Sequence, residues 1–470
     1  LIDFFKNNPF LTGLLALIII FIGVKIPFLS LPYYWDEAWV YGPAIRTMEA
    51  TKLGILPDAL PPELSRGHPL LFHFLGAGWM KLFGTSLTAS HIFPLLVAVL
   101  LLVVLYLFGK KIFLSNKAGF TAAFVLALQP VFLAQSGLLL PEVMLALFSL
   151  LSFYFYLDNK RILYVIAGIL TVFTKESGLT VVATLLLWTL LETLFSDDGK
   201  KWKKYFLRSL VISLPLIPLA AYFIYQNKLY GWYLFPEHIG LISGSTADIL
   251  NKLERYGAYI FIYQGRNLLT FSAIIALLII LFSGRTLEST ESKAVLVLFL
   301  YIFVYLIFSC LNFYSDRYTM SVIPVVALIF AFSINKAFDY NWIPWATFVV
   351  VAGLQWQFIN KRNNLDHNLG YADAIKTHQQ TIDYCIDKKL QDATIYAFFL
   401  MEGDLKNPYA GYLSEENKFN NVSGKFSDKT EYVIVDNKDT FDQLRNTHKL
   451  KLLERFENRN AWTEVYKVDK

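Results

Sequence analysis

The sequence predicts a polytopic all-α membrane domain of about eleven transmembrane helices, residues 1–360, followed by a small α/β soluble domain, residues 361–470. Three observations carry that expectation. The first 360 positions hold 44 charged residues, whereas the last 110 hold 35, made up of 17 Lys or Arg and 18 Asp or Glu. A soluble chain does not separate its charges in this way. The first part also consists of apolar runs near the length of about 20 residues that a helix needs to cross a bilayer. The tail instead alternates helix-like and strand-like patterns. With 55% hydrophobic and 17% charged residues over 470 positions, disordered, collagenous and disulfide-rich classes are excluded.

In chain order, the expected spans are 10–29, 87–108, 118–136, 142–157, 162–174, 178–195, 207–226, 267–283, 294–311, 318–335 and 342–359. The first run is too long for a signal-peptide core and lacks a small-x-small cleavage site, so it reads as a retained anchor. Two connections are long, 30–86 and 227–266. With the N-terminus cytoplasmic, alternation places Lys110, Lys111, Lys117, Lys160, Arg161, Lys200, Lys201, Lys203, Lys204, Arg208, Arg285, Lys293 and Lys336 inside. The short loops on the other face carry only Lys175 and Arg317. This is the positive-inside pattern. It predicts an integral plasma (inner) membrane protein whose long loops and C-terminal domain are extracytoplasmic. In the tail, 371–390 has amphipathic helical spacing and 439–448 reads as a helix. Stretches 393–399, 431–436, 450–456 and 462–468 read as strands.

The net charge of +5 divides into +6 before residue 361 and −1 after it, and calls for no nucleic acid. Cys310 and Cys385 fall in different regions and form no metal-binding spacing. Ionisable residues at or near membrane depth are costly and are therefore the candidates for chemistry. The first long loop opens Tyr33-Tyr34-Trp35-Asp36-Glu37-Ala38-Trp39. Two adjacent carboxylates directly after a span, set among aromatics, suit a general base flanked by rings that stack on a sugar. The plainer alternative is an interfacial aromatic belt with solvated acids. Further on comes Ser65-Arg66-Gly67-His68-Pro69-Leu70, and then Lys81-Leu82-Phe83-Gly84.

An Asp-Glu pair after the first span, a Gly-His-Pro motif and a Phe-Gly turn resemble the protein O-mannosyltransferase and aminoarabinose transferase group. These are integral-membrane glycosyltransferases of the GT-C class. Pro141-Glu142, Thr174-Lys175-Glu176 and Asp316-Arg317-Tyr318 extend the resemblance over roughly residues 1–340. The second Pro usual after His-Pro is Leu70 here, and Glu142 stands where Asp is commoner. The resemblance implies a sugar donor carried on a polyprenyl phosphate and presented at the outer leaflet. It also implies an acceptor hydroxyl on a protein, lipid or glycan. A lipid phosphate leaves as a stable anion, so one base and a set of cations suffice for an inverting transfer. Glycosidases typically need a second carboxyl to protonate the leaving group.

On this reading Asp36 is the base, and Glu37 is its orienting neighbour or a ligand of the acceptor hydroxyl. Arg66, His68, Lys175, Arg317 and Tyr318 bind the donor and its phosphate. Glu142 and Glu176 are supporting acids. Asp36, Glu37 and Glu142 could alternatively hold a divalent metal ion through oxygen. Each residue also has a structural alternative. Lys175 would snorkel or pair with Glu176, Arg317 would pair with Asp316, His68 would bond locally, and Glu142 would favour a helix N-terminus. Gly265-Arg266-Asn267 is a further, looser phosphate candidate. The rival functions are a transporter or flippase of lipid-linked or small solutes, and a non-catalytic membrane subunit.

Overall fold

The computed structural model describes residues 7–195, 202–242, 244–360, 365–436, 444 and 448–469. Every segment expected to span is helical, wholly or in large part. Helices run Pro9–Lys25, Leu87–Ile112, Glu142–Leu157, Arg161–Thr174, Leu179–Leu194, Ser289–Cys310, Ile323–Ala337 and Ile343–Asn360. Three segments depart from straight helices. The expected helix 118–136 is split into Asn116–Ala127 and Pro130–Gln135, because Gln129, extended before Pro130, leaves the helical conformation. Trp202–Ser213 and Leu216–Tyr230 meet at 43° beside Pro215. Thr246–Phe261 and Arg266–Phe282 meet at 77°, where Gln264 and Gly265 take φ of 56° and 78°. By length and composition, four of the described helices can cross a membrane alone, or up to six if each bent pair is one span.

Local chemistry sets the helix ends and the close contacts. Ser86 and Ser115 cap their helices through the amides of Ala89 and Ala118, at 3.2 and 3.1 Å. Helices Leu87–Ile112 and Asn116–Ala127 touch backbone to backbone: a Cβ on Gly109 would lie 2.3 Å from the Gly119 backbone. Only glycine permits that approach. At the Ile112 end lie Lys111–Asp158, Lys117–Asp339 and Lys336–Glu291 pairs, 3.7, 2.6 and 2.8 Å long. Helix Leu87–Ile112 is about 39 Å long at the standard rise of 1.5 Å per residue. The basic connections therefore lie a bilayer's thickness from the loops at its other end. Lys200 and Lys201 are outside the described residues.

The first long loop is tied to that other end by Glu37, whose side chain is fully buried. It accepts from His91 Nε2 at 2.8 Å and from the amides of Leu139 and Tyr34 at 2.6 and 3.2 Å. His91 Nδ1 donates to Leu29 O at 2.9 Å, so both ring nitrogens face acceptors and the ring suits a charged partner of Glu37. One carboxylate thus joins three segments distant in sequence. Asp36 precedes a π-helical turn, Glu37–Tyr41, which leads into helix Gly42–Ala50.

The tail contains helix Tyr371–Asp387 and strands β1 (Ile395–Ala397), β2 (Val422–Ser423), β3 (Tyr432–Val435), β4 (Leu450–Asn458) and β5 (Ala461–Val468). The sheet order is β2-β1-β3-β5-β4, parallel from β2 to β3 and antiparallel from β3 to β4. The four longer strands fall on the expected stretches. Helix Phe399–Lys406 and the two-residue β2 were not expected, because neither is long enough to show a period. The expected helix 439–448 lies outside the described residues except for Leu444 and His448.

The tail docks on the first loop through its 3₁₀ turn Pro408–Ala410. Tyr33 N donates to Ala410 O at 2.8 Å, and Tyr409 Oη to Ala38 O at 2.7 Å. Beneath this contact, His378 Nδ1 lies 2.7 Å from Asp404, with Asp436 3.6 Å from Nε2. Burial works against a charge on His378, but these two carboxylates overcome it and raise its pKa from 6.5 to about 9.

Two outcomes follow. Glu37→Ala, which removes the buried partner of His91 Nε2 and of the Leu139 and Tyr34 amides, should cost about 3–5 kcal/mol and lower the melting temperature in detergent. A melting temperature within a degree of wild type would remove Glu37 from this anchoring role. For His378 the folded pKa lies above the unfolded one. Its contribution is therefore complete below about pH 6.5 and lost as pH rises through about 9. Protection of the tail from limited proteolysis should fall between pH 6 and 10 in wild type, and that dependence should flatten in His378→Asn.

Candidate active site

Segments far apart in the chain converge on a cavity of about 560 Å³ at the end of the bundle where the tail docks. Asp36, Arg66, His68, Glu142, Lys175, Glu176, Arg317 and Tyr318 all line it, although they span about 280 positions. The exception is Glu37, which points into the interior as described above. It neither orients Asp36 across the cavity nor reaches an acceptor, because its oxygens are taken by His91 and two backbone amides.

Arg317 is the centre of the charge network and is only 4% exposed. It sits in a 3₁₀ segment, Asp316–Ser321, that interrupts the expected helix 318–335 before Ile323. Its Nη2 donates to Asp36 Oδ2 and its Nη1 to Asp366 Oδ2. Its Nε faces Glu142 Oε1 at 3.6 Å. Burial disfavours the charge, yet Asp366, then Asp36 and Glu142, hold the guanidinium protonated well above the usual arginine value. The structural alternative for Arg317 is a pair with Asp316. Asp316 instead accepts from Tyr314 Oη and lies 3.5 Å from His367.

Glu142, the first residue of its helix, also accepts from Lys175 Nζ at 3.2 Å, and its Oε2 has no hydrogen-bond partner. Lys175 lies 3.9 Å over the Tyr318 ring, with Arg317 5.3 Å from the same ring. Lys175 is therefore turned into the cavity rather than snorkelling. Asp36 Oδ1 accepts from Trp39 Nε1 at 3.1 Å, so both carboxylate oxygens are oriented by donors while their cavity-facing sides stay open. The trio suggested for a metal is not assembled. Arg317 stands between Asp36 and Glu142, and Glu37 faces away. Among the described residues no group of three His, Cys, Asp or Glu side chains is arranged to hold a metal ion.

The other wall carries the Gly-His-Pro turn. Arg66 and Gly67 have φ of 49° and 71°, and a Cβ on Gly67 would lie 2.9 Å from the Trp232 ring. The left-handed turn and this contact require glycine there. The turn presents Arg66 to Glu237 at 2.7 Å and over the Trp39 ring at 4.7 Å. His68 Nδ1 pairs with Glu176 at 2.9 Å, and its ring lies 4.9 Å from that of His238. Burial and His68 lower the pKa of His238 to about 4, so that ring is neutral near pH 7.

Several lining residues were not foreseen. Asp366 follows helix Ile343–Asn360, in a stretch whose composition is that of the tail. Phe399 arrives from the unexpected tail helix and packs edge-on against Trp35 and Trp39, at 5.8 and 5.0 Å. Arg255 lies 3.8 Å over the Tyr314 ring and pairs with no carboxylate among the described residues. It sits on an amphipathic helix in the second long loop, a position that nothing in its own neighbourhood marks out. Arg266, the looser phosphate candidate, does not line the cavity. It is buried against Gln129, Gln264 and the Tyr259 carbonyl, at 3.0, 3.1 and 2.7 Å.

Residues 67–224 match the sequence model of the dolichyl-phosphate-mannose-protein mannosyltransferase family. No curated protein matches the chain in sequence. Among solved structures, ArnT from Cupriavidus metallidurans bound to undecaprenyl phosphate aligns with a TM-score of 0.57 and 13% identity. That alignment covers 96% of this chain and 97% of ArnT. The apo state of the same protein gives 0.56 and 14%, covering 95% and 97%. The archaeal oligosaccharyltransferase AglB from Archaeoglobus fulgidus, in complex with an inhibitory peptide and a dolichol-phosphate, gives 0.50 and 14%. It covers 92% of this chain and 70% of AglB. At these identities the likeness is one of fold. The chain thus shares the GT-C architecture of ArnT along nearly its whole length, and resembles the protein O-mannosyltransferase and aminoarabinose transferase group in its motifs and, over residues 67–224, in its family sequence pattern.

Proposed function

We propose that this chain is an integral-membrane glycosyltransferase that moves a hexose or pentose from a polyprenyl-phosphate donor to an acceptor hydroxyl, with inversion. Asp36 is the base. The observation that carries this reading is that Asp36, set between Trp35 and Trp39, faces a cavity that also holds Lys175, Arg255 and Arg317. The acceptor O–H gives its proton to Asp36 as its oxygen bonds to the anomeric carbon. The bond from that carbon to the phosphate oxygen breaks, and its electron pair leaves on the lipid phosphate. Arg255 and Lys175 meet the phosphate charge, and Arg317 takes part through its fork. Trp35, Trp39 and Phe399 offer ring faces and edges to the sugar and acceptor. The presence of a lipid phosphate in the ArnT and AglB structures supports this class of donor.

The membrane placement belongs to the same proposal. The N-terminus lies in the cytoplasm, about eleven segments cross, and residues 361–470 form an extracytoplasmic domain beside the cavity. The basic connections at the far end of the bundle support that orientation. A transporter reading would place its site near the bilayer midplane, between repeats. Here the ionisable residues of the cavity gather at the end of the bundle where the tail docks. Reporter fusions after Asp339 and after Lys470 should report opposite faces, and a shared face would overturn the orientation.

Asp36→Asn should keep the fold and donor binding, yet reduce transfer about 10²–10⁴-fold, because the amide cannot take the acceptor proton. Lys175→Ala and Arg255→Ala should weaken donor binding as well as turnover, since the phosphate is charged before and during transfer. A panel of polyprenyl-phosphate-linked sugars with purified protein separates these classes. Transfer near the wild-type rate in Asp36→Asn would remove Asp36 as the base.

A further inference from the structure

Arg317 is surrounded by more negative charge than it can match. Asp36, Asp366 and Glu142 face it, against Arg317 itself and Lys175, which leaves one surplus negative charge before any phosphate enters. A phosphate approaching Arg317 must therefore meet repulsion or replace a carboxylate. The three carboxylates are not equally replaceable. Asp36 is also held by Trp39, and Glu142 by Lys175. Asp366 has Arg317 as its one side-chain partner among the described residues. Its backbone is fixed separately, the Asp366 carbonyl accepting from Gln135 Nε2 at 2.8 Å. Rotation of the Asp366 side chain alone would free Nη1 of Arg317 while the main chain stays in place.

Resting on the donor class proposed above, we propose that Asp366 is an internal substitute for phosphate, occupying on Arg317 Nη1 the position that a lipid-phosphate oxygen takes when it binds. The exchange bears most on the product. The sugar-linked donor is a phosphodiester with a single negative charge, and the polyprenyl phosphate left after transfer is a monoester that carries up to two. The product is therefore held harder by Arg317, and the return of the Asp366 carboxylate to Nη1 competes it off. Asp366 is on this account a residue that sets affinity and turnover rather than one that touches the reacting atoms.

The test uses Asp366→Asn in the full chain, in detergent, with undecaprenyl phosphate as the probe. The amide keeps the shape and a neutral contact to Arg317 but removes the competing charge. A charge-assisted hydrogen bond is worth about 1.5–3 kcal/mol, so the variant should bind undecaprenyl phosphate about ten- to a hundredfold more tightly. Turnover should then fall together with KM as product release slows. Equal or weaker binding, with a KM that rises, would assign Asp366 to positioning Arg317 and overturn the exchange. Asp366→Ser, which also removes the charge, supplies the same comparison if the Asn variant is poorly folded. Failure of wild type to bind undecaprenyl phosphate at all would count against the donor class. Wild-type binding with no gain in either variant would count against the exchange alone.

Discussion

The arrangement of this molecule depends on a cation that cannot be left unpaired. Arg317 is buried where an isolated charge is untenable, and its fork meets carboxylates from three segments far apart in the chain. Asp36 follows the first helix, Glu142 begins a mid-chain helix, and Asp366 introduces the tail. A guanidinium has donors in a fixed plane, so satisfying it sets the relative positions of all three. A lysine would supply the charge but not that geometry. Breaking one arm of such a network exposes the remaining charges to an interior that cannot solvate them.

Behind the cavity, Glu37 does the complementary work. The Asp-Glu pair divides its labour by direction: at the start of the π-helical turn, Asp36 faces the cavity while Glu37 faces the bundle. There Glu37 binds His91 and the Leu139 amide, three residues before Glu142. Two of the cavity's carboxylates, Asp36 and Glu142, are thereby fixed from the rear by Glu37. This explains how a loop can hold a carboxylate at the cavity without wandering. The docked tail adds a further constraint, since Tyr409 and Ala410 bond to the same loop. The tail is thus part of the cavity wall, through Asp366 and Phe399, and not an appendage.

Among the described residues, the pairing of the cavity's Arg66, Lys175 and Arg317 with carboxylates, and of Arg255 with none, also shapes how the site would handle a charged lipid. A fully matched site is stable when empty, and charges already paired bind a phosphate only by exchange. An unmatched one binds more readily and costs more to fold. This cavity combines both, with Arg255 open on the Tyr314 face and Arg317 closed by acids. A lipid phosphate whose charge changes during transfer suits that division.

Much of the architecture was legible in the sequence because membranes and water impose strong local rules. Apolar runs located the helical segments, the basic connections sorted to one end, and alternating patterns marked the four longer strands. The Asp36, Arg66, His68, Lys175 and Arg317 group was also legible, since charge near a bilayer is costly enough to stand out residue by residue. What the sequence did not determine was direction and partnership. Adjacent Asp36 and Glu37 are chemically alike, and only packing turns one outward and the other inward. Asp366 and Phe399 have unremarkable neighbours, and Arg255 lies on an ordinary amphipathic helix. Their roles arise from contacts with other segments of the chain, about fifty to sixty positions away for Asp366 and Arg255 and over 350 for Phe399. Spacing along the chain records what a residue costs to bury, whereas its partners are chosen only when the chain closes in three dimensions.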